Sequence, residues 1–234
     1  MKPLMILGLF IMALIAAQFA KAQTVDDIVN KYITAMGGEE KLISLKTVKM
    51  EGNLTVNGTD VGLIVTRKHL VGMRADISVM GTENYQIVTP AKGIVFMPIR
   101  GMTEPTTMSD DELKSSLTQL DIQGSLVDYK QKGTTVEVIG KEKVDTEDCY
   151  NLKLTYKSGV VANYYISTTT YYIVKTSGKK IIGGKEMDVT TTYSNYKKNA
   201  DGYWFPYTTV NSQGETDYST IDTNKPVDES IFKQ

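Results

Sequence analysis

Histidine and cysteine are nearly missing from this chain of 234 residues, which has one of each, His69 and Cys149. His69 sits in "TRKHL" with no second histidine or cysteine pair at a metal-ligand spacing, so a structural or catalytic zinc site is excluded. It reads as a solvated histidine at the edge of a strand. There is no G-x-S-x-G, no glycine-rich phosphate loop and no dinucleotide fingerprint. A single cysteine forms no internal disulfide, so an exported chain of this kind relies on its core. Cys149, in "EDCYNLKL" at the start of a strand-like run, reads as a small buried hydrophobe with no base beside it. Neither sign of charge dominates, with 26 Lys and Arg against 27 Asp and Glu, which argues against a nucleic acid as partner. No cofactor, no metal and no enzymatic activity are expected. The carboxylate-rich strings "SDDEL" and "DTED" read as a helix first turn and a hairpin loop; Glu112 is the best residue for an enzyme working with carboxylates alone.

Lys2 precedes an apolar stretch from Leu4 to Ala17, followed by Ala20-Lys21-Ala22. This is the pattern of a secretory signal peptide over residues 1–22, too short and wrongly flanked for a membrane span. No cysteine lies near the cut to take a lipid. The expectation is a soluble exported chain from Gln23 onward, not membrane-spanning after signal removal. Residues 23–234 form one domain in this reading, since no Gly/Ser-rich or Pro-rich linker divides them. Two domains, one for each block of strands described next, are the alternative.

"TVDDIVNKYITAMGG" predicts an amphipathic helix with Thr24 as N-cap, ended by Gly37-Gly38, and "EEKLISL" a short second helical turn. The period then changes to two. "TVKMEGNLTVNG", "TDVGLIVTRKH", "GMRADISVM", "NYQIVT" and "GIVFMP" are five successive strands, the first pair joined by an Asn57-Gly58 turn, which argues for an antiparallel meander. A Pro-containing loop leads to a helix capped by Ser109, with Leu113, Leu117 and Leu120 on one side. "QGSLVDYKQKG" is a connection. Seven further strands run from Thr134 to Asp222. About a dozen strands against two main helices fit one strongly curved antiparallel sheet wrapped around its helices.

Aromatic and soft side chains are plentiful where chemistry is scarce. Ten of the fourteen tyrosines lie between residues 156 and 218, and "YYISTTTYYIVKT" places them on both faces of its strands. Tyrosine suits a sheet whose faces are only partly dry. Eight methionines beyond residue 22 either fill an irregular core or adapt to a ligand. Composition alone leaves a filled core and a partly open apolar cleft both standing.

The segments "DDIVNKYITAMGGEEKLISLKTVKMEGNL", "SLVDYKQKG", "VIGKEKVDTEDCYNLKLTYKSG", "DGYWFPY" and "KPVDESIFK" resemble the LolA/LolB-like superfamily. The resemblance is to the outer-membrane lipoprotein-sorting type found in Bacteroidetes, and it covers nearly all of the chain after residue 22. It implies a mainly β, LolA-like fold, an incomplete barrel of about eleven antiparallel strands closed by two or three helices. It also implies a periplasmic carrier of the cell envelope that holds lipid or lipoprotein acyl chains in an apolar cavity and does no covalent chemistry. Its partners would be a lipid or acylated lipoprotein and a membrane-associated donor or acceptor protein. Given that fold, strand alternation nominates Met50, Leu54, Met73, Ile77, Phe96, Leu152, Leu154, Tyr164, Ile166, Val174, Val189, Tyr193 and Trp204 for the inner face. Leu113 and Leu117 would form a lid. The competing reading is a secreted interaction module that binds a protein or glycan through an outer aromatic face around Tyr165, Tyr171 and Phe205.

Overall fold

A computed structural model describes residues 23–233; the expected signal peptide lies outside them. Helix α1 (Val25–Ala35) begins at Thr24 with a capping box: Thr24 Oγ1 accepts from Asp27 N at 3.1 Å, and the Asp27 carboxylate accepts from Thr24 N. Gly37 and Gly38, both at positive φ, turn the chain into the short helix α2 (Glu39–Ile43).

The strands are β1 (Thr47–Val56), β2 (Thr59–Lys68), β3 (Gly72–Val79), β4 (Thr82–Val88), β5 (Gly93–Phe96) and β6 (Thr106–Thr107). Helix α3 (Asp110–Ser116) and a 3-10 turn (Leu117–Leu120) follow. The second block comprises β7 (Thr135–Val144), β8 (Glu147–Thr155), β9 (Val161–Ser167), β10 (Ile173–Ile182), β11 (Lys185–Lys198), β12 (Trp204–Asn211) and β13 (Gly214–Thr223). Two-residue β6 is the strand that the sequence pattern missed, because its Thr-Thr pair lies inside the proline loop.

Both meanders join in one sheet because β13 returns to pair with β1, giving the order β6-β5-β4-β3-β2-β1-β13-β12-β11-β10-β9-β8-β7. The junction carries a bulge at Glu51/Gly52. A side chain at Gly52 would run into the Asp217 carbonyl, so this bulge needs glycine.

The expected strongly curved, incomplete barrel of about eleven strands is corrected. Among the described residues, thirteen strands lie in an open sheet whose outermost members, β6 and β7, do not pair with one another. The physical reason lies at the edges: β6 is too short to offer a ladder, and β7 is bulged between Val138 and Gly140, which blunts further pairing. The apolar face is covered by helices and a connecting segment, not by the sheet closing on itself.

Three clusters form the core. Under α1, Ile28, Val29, Tyr32 and Met36 pack on Leu152, Leu154 and Ile166 together with Leu126 and Val127. The last two come from "QGSLVDYKQKG", read from sequence as a plain connection but fully buried here. Under α3, Leu113 and Leu117 lie against Met50, Leu54, Leu63, Val65 and Met73. On the opposite face of β3 to β5, Tyr85, Ile87 and Ile94 are covered by Phe232 from the C-terminal 3-10 turn (Glu229–Phe232). The Phe232 ring sits directly on Gly72, where no side chain has room.

Candidate functional site

The face beneath α1 and α3 can be followed from strand to strand. Leu54 pairs with Thr216, Thr216 with Thr209, and Thr209 with Tyr193. The Tyr193 hydroxyl meets Thr176 Oγ1 at 3.0 Å, Thr176 pairs with Tyr164, and Tyr164 with Leu152. This row crosses seven strands. Its two ends are apolar, within the α3 and α1 clusters, and its middle carries hydroxyls.

The nominated residues fall into four groups. Met50, Leu54, Met73, Ile77, Leu113 and Leu117 gather in the α3 cluster, and Leu152, Leu154, Tyr164, Ile166 and Trp204 in the α1 cluster. Tyr193 and Val189 lie between, on β11, half-buried. Val189 pairs with Gly178, on the same face as Thr176. Phe96 and Val174 do not belong to this face. Phe96 pairs with Tyr85 on the opposite side, their rings 5.4 Å apart, because the register of the short β5 against β4 puts Ile94 and Phe96 on the outer face. Val174 falls in the bulge between Ile173 and Lys175, and Ile173 packs against the α1 cluster in its place. One inserted residue reverses the alternation beyond it, and sequence periodicity cannot register that.

Tyrosine hydroxyls organise the middle of the face. Ser125 Oγ accepts from Tyr156 OH at 3.0 Å and from Tyr164 OH at 3.3 Å, and the two phenols lie 3.0 Å from each other. Tyr196 OH donates to the Ile173 carbonyl at 2.7 Å, its ring stacked 4.4 Å from Tyr172. Burial holds the Tyr164 and Tyr196 phenols well above their ordinary range and raises Tyr156 and Tyr218 too. Yet all four residues are only half-buried by exposure. Desolvated hydroxyls on side chains that solvent still touches are the mark of a recessed surface, where neighbouring protein displaces most of the water without sealing the site.

The other candidates have structural duties. Glu112 accepts from Ser109 N and Ser109 Oγ, each at 2.9 Å, while Ser109 Oγ accepts from Glu112 N in a second capping box. Its other oxygen accepts from Gly183 N at 2.8 Å, tying α3 to the tip of the β10–β11 hairpin. These hydrogen bonds, led by the one from the Ser109 backbone, hold its carboxyl below the usual range. Cys149 is fully buried, and burial pushes its thiol up to about 11. His69 is not a solvated edge residue as expected; it packs beside Asp121, with Nδ1 3.8 Å from Oδ1, while Lys132 Nζ donates to Asp121 Oδ2 at 2.7 Å. Among the described residues, no group of three or more His, Cys, Asp and Glu is arranged to hold a metal ion, and no helix is long and apolar enough to cross a membrane.

The supposed aromatic patch is dispersed. Tyr165 is buried beneath Lys175, whose Nζ lies 4.6 Å from the ring centroid. Tyr171 packs against the α1 cluster and Phe205 against the α3 cluster. Two residues of the covered face, Arg67 on β2 and Lys180 on β10, are charged and so carry no signal that apolar alternation can use.

No family model and no curated protein matches the sequence. Among solved structures, the chain is similar in fold to a LolA superfamily protein from Nitrosomonas europaea, with a TM-score of 0.55 and 16% identity over 91% of this chain and 99% of that one. It is also similar to a DUF1329 family protein from Desulfovibrio piger, with a TM-score of 0.50 and 15% identity over 89% and 97% of the two chains. At such identities the likeness is one of fold, and at that level it agrees with the resemblance drawn from sequence.

Proposed function

We propose, for a chain that shares the fold of the LolA superfamily, a non-enzymatic carrier role: it takes up an acyl chain on the face beneath α1 and α3, within the periplasm. The observation that carries this reading is the recessed, half-buried middle of that face, flanked by apolar clusters and lined by Tyr164, Tyr193, Tyr196 and Tyr218. Met50, Leu54, Met73, Ile77 and Val189 would border the chain, with Leu113 of α3 and Leu117 of the following 3-10 turn lying over it. Each methylene withdrawn from water contributes roughly 0.8 kcal/mol, so a long acyl chain repays its ordering without metals or crosslinks. The cargo is a lipid or the acyl chains of a lipoprotein. The interaction-module alternative loses its support with the dispersal of Tyr165, Tyr171 and Phe205.

The test is native mass spectrometry of protein purified from a membrane-containing host, together with titration of a fluorescent acyl probe. Co-purified lipid and saturable uptake, weakened at least tenfold by Leu117→Asp, are expected. Bare polypeptide with no probe uptake would overturn the reading.

A further inference from the structure

Among the described residues, two cations on the covered face have no counter-charge. Arg67 is paired across β2 with Val48 and Met73, so it shares a face with Val65 and Met73 of the α3 cluster. Its Nε is buried with no hydrogen-bond partner among the described residues. Lys180 lies on β10 two positions beyond Gly178 and four beyond Thr176, on the same face as the row of hydroxyls. Among the described residues it has neither a hydrogen bond nor an ion pair.

The fold sets these two on the same covered face. β11 pairs with β12 only from Thr191 onward, so the outer part of the β10–β11 hairpin extends past its neighbour. Its tip is fastened to α3 by the Glu112–Gly183 hydrogen bond, which sets the hairpin beside the helix whose Leu113 packs against the cluster on β1, β2 and β3. Burial lowers the Lys180 ammonium below its ordinary value, and the Arg67 charge lowers it further; no carboxylate acts on it in the opposite sense. Glu112 is engaged by Ser109 and Gly183.

Two other partly buried cations do have carboxylate partners. Arg74 meets Asp76 at 2.7 Å and Lys132 meets Asp121 at 2.7 Å. Two poorly solvated cations on one face, with no anion beside them among the described residues, are unfavourable to the apo fold, and an anionic ligand supplies the missing partner. We infer that Arg67 and Lys180 form the head-group end of the acyl-binding face and take the carboxylate or phosphate of an anionic amphiphile. This rests on the carrier reading and adds to it a charge and a direction: the head lies at the β2 and β10 cations, and the chain along Val65, Leu63 and the tyrosine-lined middle.

Displacement of a neutral fluorescent hexadecyl probe from the purified protein is the test, with palmitate, a lysophosphatidic acid and hexadecanol as competitors. The wild type should bind at least one of the two anions about tenfold or more tightly than hexadecanol, the range of a charge-assisted hydrogen bond. The R67M/K180M variant should bind all three alike. Palmitate and the lysophosphatidic acid, compared in the wild type, separate a carboxylate head from a phosphate head. Removing an unpartnered cation should leave the thermal midpoint equal or higher; should R67M not fold, K180M alone reads the same preference. Equal affinity for anions and alcohol in the wild type, or a preference that survives substitution, would overturn this inference and leave the carrier reading intact. Failure to bind the probe and all three competitors would overturn both.

Discussion

At the scale of single residues, the rare side chains are held where they are chemically quiet. Cys149 is buried and disfavoured as a thiolate, and the one histidine is part of a packed polar cluster. His69 is held below its ordinary value near 6.5, chiefly by burial, with Lys132 and Lys46 adding to the effect and Asp121 opposing it. The unfolded chain therefore takes up this proton first as pH falls. The stability linked to His69 is complete above about pH 6.5 and is lost as pH falls through the lower folded value. Urea midpoints measured from pH 8 to pH 5.5 should decline for the wild type, and His69→Gln should flatten that decline. Equal slopes for the two proteins would show that His69 contributes nothing.

At the scale of elements, α3 is short and depends on its ends. Ser109 and Glu112 satisfy its first amides reciprocally, and Glu112 also reaches Gly183 on the β10–β11 hairpin. Glu112→Gln should cost about 1 kcal/mol through the weakened cap and latch, a shift of roughly 2–4 °C in thermal midpoint for a chain of this size. Asp111→Asn, at an exposed residue of the same turn outside this network, should move the midpoint much less. Equal shifts would argue that first-turn charge alone accounts for the loss. The caps were legible in sequence because capping is local: Ser109 and Glu112, or Thr24 and Asp27, lie three residues apart. The hairpin latch was not, since Glu112 and Gly183 meet only after the sheet has assembled.

At the scale of the whole molecule, the junction of β1 with β13 makes one sheet of two meanders separated by a helix and a buried connection. Unfolding should accordingly be a single transition, with coincident fluorescence, circular dichroism and calorimetric midpoints. Two resolved transitions would show that the blocks on either side of α3 are energetically separate.

By itself the sequence determined the presence of twelve strands, the caps of α1 and α3, the turn at Asn57 and Gly58, and most of the apolar residues that meet beneath the helices. These follow from spacing within a few residues, where backbone geometry dictates which side chains share a side. Only the tertiary structure decided that the sheet stays open, that Phe96 faces away, that Val174 falls in a bulge, and that "QGSLVDYKQKG" is buried. It alone placed Arg67 and Lys180 on one covered face. Each of these depends on a register shift or on a contact between residues far apart in the chain, and a local pattern carries no record of the partner that a strand or a charge will meet.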